Sequence, residues 1–375
     1  MKKTLLYVGA ALLCTVGLQS CSNEDNIAGD PYVSVIDDGA DLSDLVAEQV
    51  AAGATEVTLT LPADKQLLQI ANPIEVNVPL TIEGEGEAPV KVIAKKGIVA
   101  AASVTLKNLA IDATELAEPL IALSPDGAEK KNQDVYTDAA TTDFNLLDAI
   151  TIDNVLIKNL QNSLVSSNGQ DWAIVDLNIT NSIIQLDNDK NTFIALDKTK
   201  NNKGAVKNIN IQNNTIYNLK ENKTAYFIRF ANASNAQKAF GRANDTSTYD
   251  WNISNNTIIR TFTAKDFANN MVNNPKVTNT VSNNVFYDVF RVYQYLQNNQ
   301  TRSTVNNYIF YDVTSPQSAD TGGRTDKDGN AYTTLLETAP FAVPTAALDL
   351  DAENGGLNLA PAGLAEPAGD PRWLK

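Results

Sequence analysis

Residues 211–216 read Ile-Gln-Asn-Asn-Thr-Ile, and residues 253–258 repeat them as Ile-Ser-Asn-Asn-Thr-Ile. Both stretches follow a wider pattern: an aliphatic residue, any residue, Asn, any two residues, and an aliphatic or aromatic residue. The pattern recurs along the chain, with its asparagines at Asn108, Asn154, Asn181, Asn213, Asn255, Asn283 and Asn307. Recurrence at such spacing is the sequence signature of a solenoid.

The spacing of the motif asparagines indicates the kind of solenoid. Successive asparagines lie 46, 27, 32, 42, 28 and 24 residues apart. A minimum near 24 with a variable excess is typical of a coil of constant circumference that carries loops of different lengths. Apolar and polar residues alternate before each Asn, as in a strand, and the phase changes after it. The sequence therefore predicts an all-β, single-stranded parallel β-helix.

The asparagines themselves are expected at one corner of successive coils. Asn tolerates the left-handed backbone conformation that a tight turn demands. When coils stack, the side-chain amides of such residues can form a hydrogen-bonded ladder. We therefore predict one ladder of motif asparagines running up the solenoid.

Residues 43–86 predict a cap and a first coil for this solenoid. Residues 43–52 form an amphipathic pattern that Gly53 ends, which is typical of a short helix. Strand-like segments follow at 57–61 and 74–78, and residues 79–86 read Pro-Leu-Thr-Ile-Glu-Gly-Glu-Gly. This combination resembles the opening of pectin-lyase-like proteins. The resemblance implies a right-handed parallel β-helix whose N-terminal helix shields the first coil.

The first residues predict an exported, lipid-anchored protein. Met1-Lys2-Lys3 precedes an apolar stretch of signal-peptide length, and Leu18-Gln19-Ser20-Cys21 resembles a bacterial lipobox. The resemblance implies acylation of Cys21 and anchoring to a Gram-negative outer membrane. The polar run Ser22–Asn26 resembles the export signal of Bacteroidota surface lipoproteins, which implies a location facing the cell exterior.

These features predict a domain order. Residues 1–20 are a lipoprotein signal peptide, 21–40 an acidic tether, 41–312 the capped β-helix, and 313–375 an irregular tail that packs on the last coils. The C-terminal stretch Gly363–Trp373, which ends Gly369-Asp370-Pro371-Arg372-Trp373, resembles the terminal motif of uncharacterised Bacteroidota surface lipoproteins with pectin-lyase-like β-helices.

Composition narrows the chemistry. The net charge of −15 argues against a nucleic-acid partner. Residues 150–310 nevertheless hold 16 Lys and Arg against 11 Asp and Glu, so this part is mildly basic. The chain has no histidine, which excludes Ser-His-Asp sites and histidine-ligated metals.

The candidate site follows from positions just past the repeat. Equivalent residues of successive coils stack about 4.8 Å apart. This places Tyr217, Tyr287 and Tyr311 in one row, with Arg260, Asp288 and Asp312 beside them. A sugar ring can lie on tyrosine rings while Arg and Asp bind its polar groups.

Function is predicted as polysaccharide capture at the cell surface, beside neighbouring glycan-uptake proteins. We predict that no cofactor is required, although the carboxylates of Asp288 and Asp312 could bind calcium. One alternative is a lyase or hydrolase acting on acidic, pectin-like glycans, for which Arg229, Arg260 and Arg291 are available. A structural or adhesive surface protein is a second alternative. Because loops on a rigid scaffold often carry recognition, the long insertions before Asn154 and Asn255 are further candidates. The more attractive one is 231–249, with Lys238, Phe240, Arg242 and Tyr249.

Overall fold

The computed structural model describes residues 36–124, 145–199, 204–230, 249–269, 277–292, 303–306, 308–313, 333–335, 338–359 and 368–374. All of them belong to one compact unit, Ser34–Lys375. The described strands form a 17-stranded sheet and a 7-stranded sheet, and every described strand pair is parallel. The predicted parallel solenoid of mainly β structure is therefore confirmed at this level. The predicted signal peptide, Cys21 and most of the tether lie outside the described residues.

The chain passes repeatedly through three columns of strands, and we call each passage a rung. The first column holds β1 Val57–Leu61, β4 Leu80–Gly84, β7 Val104–Asp112, β9 Asn145–Leu160, β11 Trp172–Thr180, β14 Gly204–Gln212, β17 Tyr249–Ser254, β20 Val277–Ser282 and β22 Ser303–Asn306. These strands start rungs 1 to 9 in order. Strands β7 and β9 continue through the corner into the second column.

The other two columns complete the rungs. The second column holds β2 Leu68–Ile70, β5 Val90–Ala94, β12 Ile183–Leu186, β15 Thr215–Asn218, β18 Thr257–Ile259, β21 Val285–Val289, β23 Tyr308–Val313 and β24 Thr333–Leu335. The third column holds β3 Ile74–Val76, β6 Ile98–Ala100, β8 Ile121–Leu123, β10 Val165–Ser166, β13 Ile194–Leu196, β16 Ile228–Phe230 and β19 Ala268–Asn269. The first two columns share the larger sheet, because only a sharp corner separates them.

Alternation along each strand builds the core. In β1, Val57, Leu59 and Leu61 are buried, whereas the side chains between them face solvent. Stacked rungs place such residues over one another, and each buried aliphatic side chain contributes about 1.5–3 kcal/mol. The core is therefore a column of nearest-neighbour contacts, as expected for a solenoid.

The motif asparagines form the corner between the first and second columns. Those within the described residues have φ between 53° and 57°: Asn108, Asn154, Asn181, Asn213, Asn255 and Asn283. Their amides bond from rung to rung, from Asn154 Nδ2 to Asn108 Oδ1 (3.0 Å) and from Asn255 Nδ2 to Asn213 Oδ1 (3.2 Å). One step differs, since Asn181 donates to Asp153. Asn307 lies outside the described residues.

A second amide ladder lies inside the solenoid, one position after the motif. The amide of Asn214 donates to Asn256 Oδ1 (3.0 Å), and that of Asn256 donates to Asn284 Oδ1 (2.9 Å). All three residues are fully buried. Each also donates to a backbone carbonyl of the preceding rung, so the buried amides are satisfied.

Aromatic rings stack within the core near the third column. Phe227 lies between Phe193 and Phe267, with ring centres 4.9 and 5.1 Å away and interplanar angles of 22° and 18°. All three rings are buried. The stacked aromatic rings of the described residues therefore lie inside the core. They are phenylalanines and not the tyrosines of the predicted row.

The predicted capping helix is present as α1, Leu42–Ala51. Asp41 caps it by accepting a hydrogen bond from the backbone N–H of Ser43 (3.1 Å). Leu42 and Val46 face the core, and the helix contacts β1, β2 and β3 of the first rung. It thus covers the open end of the solenoid. No helix in the described part of the chain has the length and apolarity needed to cross a membrane.

The C-terminal tail follows the predicted path only in part. We predict a tail on the last coils, and β24 does pair with β23 there. The later described residues, 338–359 and 368–374, lie instead along the outer side of the second column. Gly369 donates to the carbonyl of Asn283 in rung 8 (2.7 Å), and Asp351 pairs with Lys91 in rung 2. The tail therefore contacts rungs from near the end of the solenoid back almost to its start.

Candidate glycan-binding surfaces

The tyrosine row exists in register but is not an open surface. Strand pairing places Tyr217, Ile259, Tyr287 and Tyr311 at successive levels. Tyr217 is fully buried and Tyr287 is 7% exposed. Phe341 of the tail lies against Tyr287, with 5.3 Å between ring centres. A sugar cannot stack on Tyr217 or Tyr287 in this structure, so the predicted role of their rings is wrong; the side chain of Tyr311 lies outside the described residues.

Burial also sets the chemistry of Tyr217. Removal from water raises the pKa of its phenol far above the usual value, and the hydrogen bond from Gln185 opposes this only in part. The Gln185 amide donates to the Tyr217 hydroxyl at 2.5 Å and to the carbonyl of Ala346 at 2.9 Å. Tyr217 is therefore a neutral contact between the sheet and the tail.

The terminal motif fastens the tail to the corner. Asp370 is buried, accepts a hydrogen bond from Thr215 (2.8 Å) and is paired with Arg372. Arg372 donates to the carbonyls of Asn181, Ser182 and Asn213. The Trp373 indole donates to the Thr215 hydroxyl at 2.7 Å. Asp370 N–H also donates to the Thr257 hydroxyl (3.0 Å). With the bond from Gly369 to Asn283, these contacts give the terminal residues a structural role on rungs 5 to 8.

Arg260 and Asp288 form an ion pair between adjacent rungs. Arg260 Nε lies 2.6 Å from Asp288 Oδ2, and both side chains are about a quarter exposed. Their φ angles of 55° and 51° show that both occupy a left-handed turn. The pair neutralises Asp288, which leaves it a poor calcium ligand. The side chain of Asp312 lies outside the described residues, and no group of three or more metal-ligating side chains occurs within them.

The third column carries a partly exposed group of charged and aromatic side chains, which we call the arginine cluster. Arg229 Nη1 lies 3.2 Å from Asp197 Oδ2, and its Cζ lies 5.3 Å from the ring centre of Tyr226. A second unit has the same composition: Arg291 pairs with Asp266 (Nη2–Oδ2 2.8 Å) and lies 5.4 Å from the ring centre of Phe290. Each ion pair joins two neighbouring rungs.

Strand register brings the two units together. The pairing of β16 with β19 places Tyr226 level with Asp266, and a bridge places Asp266 level with Arg291. The cluster therefore contains two guanidinium groups, two carboxylates and exposed aromatic surface on consecutive rungs. Its formal charges balance. Such a set can accept from and donate to hydroxyl groups while a ring offers a stacking face.

Five internal stretches outside the described residues follow the third-column part of a rung in sequence: 125–144, 200–203, 231–248, 270–276 and 293–302. The favoured insertion with Lys238, Phe240 and Arg242 lies outside the described residues. In sequence it follows directly after β16, which carries Arg229, and its last residue, Tyr249, begins β17.

Sequence reasoning identified Arg229 and Arg291 but missed Tyr226, Asp197 and Asp266. The asparagine motif sets the register of the first two columns only. Third-column strands of two or three residues have no such marker, and the long insertions disturb their spacing. The available signal was the Phe that precedes each of β13, β16 and β19, which aligns Tyr226 with Asp266.

Residues 68–219 match the family model described as Domain of unknown function (DUF4957). The match runs from β2 in rung 1 to the end of β15 in rung 6 and includes the corner asparagines of rungs 3 to 6. Together with the curled parallel sheets, it fits a β-helix-like fold. No curated protein and no solved structure matches the chain.

Proposed function

We propose that this protein is a surface lipoprotein of the pectin-lyase-like, right-handed β-helix type that captures polysaccharide at the arginine cluster. The observation that carries the proposal is the pair of Arg–Asp–aromatic units, which lie on neighbouring rungs and are partly exposed to solvent. Acylated Cys21 would hold the solenoid at the outer membrane, where such a cluster meets extracellular glycans.

Binding is favoured over cleavage by the state of the arginines. A lyase base must lose its proton, yet Arg229, Arg260 and Arg291 are each held by an aspartate. A guanidinium has five N–H donors and no hydrogen-bond acceptor. These residues therefore suit donation of hydrogen bonds rather than proton abstraction. The balanced charge of the cluster also favours hydroxyl-rich ligands over polyanions.

Affinity electrophoresis against plant, host and microbial polysaccharides tests the proposal. We expect at least one glycan to retard the lipid-free protein, and Arg229→Ala to weaken binding about tenfold or more, as expected for loss of a charged hydrogen bond. Lys220→Ala is the matched control, because it removes an ion pair with Asp187 that joins the same two rungs but lies after the second column. Unchanged binding in Arg229→Ala would refute the site, and unsaturated products absorbing in the ultraviolet would favour the lyase alternative.

The proposed lipid anchor and surface location have their own test. Labelling of the protein with a radioactive fatty acid should require Cys21, and Cys21→Ser should abolish the label. External protease should then degrade the anchored protein on intact cells. Label that persists in Cys21→Ser would contradict the anchor.

A further inference from the structure

The outward face of the first column carries one uninterrupted row of Thr and Asn. Strand register places its members at equivalent positions of rungs 1 to 9: Thr58, Thr81, Thr105, Thr151, Asn178, Asn210, Asn252, Thr280 and Thr304. We call this the Thr/Asn row. Eight intervals between rungs give it a length of about 38 Å.

The row is accessible to solvent. Thr58 is exposed, and the members in rungs 2 to 8 are partly exposed. The described contacts of the C-terminal tail lie on the second column and its corner, which leaves the first-column face open. The solenoid therefore has one outer face that its own tail covers and another that carries this row.

Strand preference does not account for the row. Thr suits a strand, but Asn is depleted in strands, yet it occupies three successive mid-strand positions. Solvent-facing positions commonly hold Lys or Glu, which lose more side-chain entropy than short residues when ordered. Three members of the row are also held by neighbours: Asn178 Nδ2 donates to Thr151 Oγ1 (3.4 Å), and Ser254 Oγ donates to Asn252 Oδ1 (2.8 Å). The row is an array of short hydroxyl and amide side chains that is preordered in rungs 4, 5 and 7.

The row itself carries no charge, and its surroundings are net acidic. Flanking positions of the face hold Glu83, Asp148, Asp153, Asp176 and Asp250 against Lys107 and Lys207. A polyanion would be repelled from this face. A polymer with uncharged hydroxyl groups would meet donors and acceptors at a constant interval, at little cost in ordering the protein.

We infer that the Thr/Asn row is a second glycan surface, which binds an extended, uncharged polysaccharide lying parallel to the solenoid axis. The rung spacing is close to the length of one sugar unit in an extended β-1,4-linked chain, so successive sugars meet successive rungs. This inference rests on the proposed function, because it takes the ligand to be a glycan. It adds a ligand class and a binding direction that the arginine cluster does not define.

The test uses soluble galactomannan, xyloglucan and arabinoxylan, three uncharged polymers with β-1,4-linked backbones, and polygalacturonate as the acidic counterpart. Thr105→Lys and Thr280→Lys place flexible, bulky side chains in rungs 3 and 8 of the row. The double variant Asp189→Asn, Glu115→Gln is the control, because it changes the net charge by the same two units, while both side chains are exposed and lie outside the first column. Thermal unfolding verifies that each variant remains folded.

We expect the double variant to bind at least one of the uncharged polymers about tenfold more weakly than the unaltered protein, since several weak hydrogen bonds are lost together. The control double variant should bind normally, and polygalacturonate should not be retained on the row. Uncharged polymer binding that is lost in Arg229→Ala but unchanged in the double variant would overturn this inference alone. Loss in the double variant with normal binding by Arg229→Ala would support it and overturn the arginine cluster. No retention of any of the three uncharged polymers would overturn it as well.

Discussion

Replacement of Trp373 by alanine should release the tail while the solenoid stays folded. Trp373 is 7% exposed and packs in a group with Tyr217, Ile183 and Leu348. Its indole also donates to the Thr215 hydroxyl. Truncation of a buried Trp costs about 3–5 kcal/mol, which lowers the equilibrium constant for tail docking by roughly two to three and a half orders of magnitude.

Hydrogen exchange measured by mass spectrometry resolves this effect. Peptides that contain the amide of Gly369, bonded to Asn283 in the intact protein, should exchange about 100-fold faster or more in Trp373→Ala. Core peptides from β11 and β14 should keep their protection. Tyr217 should also become reactive towards nitration, because the tail no longer covers it.

The neighbouring Leu374 supplies the control. It is 37% exposed, so Leu374→Ala should leave exchange in the tail unchanged. Equal acceleration throughout the solenoid in Trp373→Ala would refute the reasoning, because it would show that the tail and the rungs do not separate.

Three further predictions concern single side chains. Asn256→Ala should lower the free energy of unfolding by about 2–4 kcal/mol, because it opens a cavity and leaves buried partners in the ladder unpaired; a denaturant titration showing under 1 kcal/mol would contradict the ladder. Asn213→Ala should cost more stability than Asn213→Gly by about 1 kcal/mol, because glycine adopts positive φ freely; equal midpoints in urea would argue against the corner. Burial raises the pKa of Tyr217, so its stabilising contribution is present below the unfolded value near 10 and falls as pH rises above it; thermal melts from pH 8 to 11 should show this loss, and Tyr217→Phe should reduce it.

The corner and register were predictable because they depend on local sequence. An Asn at φ near 55° occupies the turn between the first two columns in rungs 3 to 8, and the apolar positions on either side fix which residues face inward. The same logic aligned Tyr217 with Tyr287. The structure was needed to identify Asp41 as the helix cap and to find the short third-column strands. Neither feature is marked by a repeated residue in the sequence.

Long-range contacts determine what the sequence could not show. The burial of Tyr217 depends on Trp373 and Leu348, which lie more than a hundred residues away in an irregular segment. Hydrophobic periodicity carries no information about such a segment. The aromatic row therefore suggested an open ligand surface, whereas its side chains pack beneath the tail.

The path of the tail changes how the molecule should come apart. A bare stack of coils can fray from its last turn, one layer after another, because each layer is held only by its neighbours. Here the final residues reach back to Ser182 and Thr215, and an earlier part of the tail reaches Lys91. The tail therefore connects rungs that are not adjacent. A pulling force applied to either end of the solenoid acts on many rungs at once, which favours abrupt rather than stepwise unfolding.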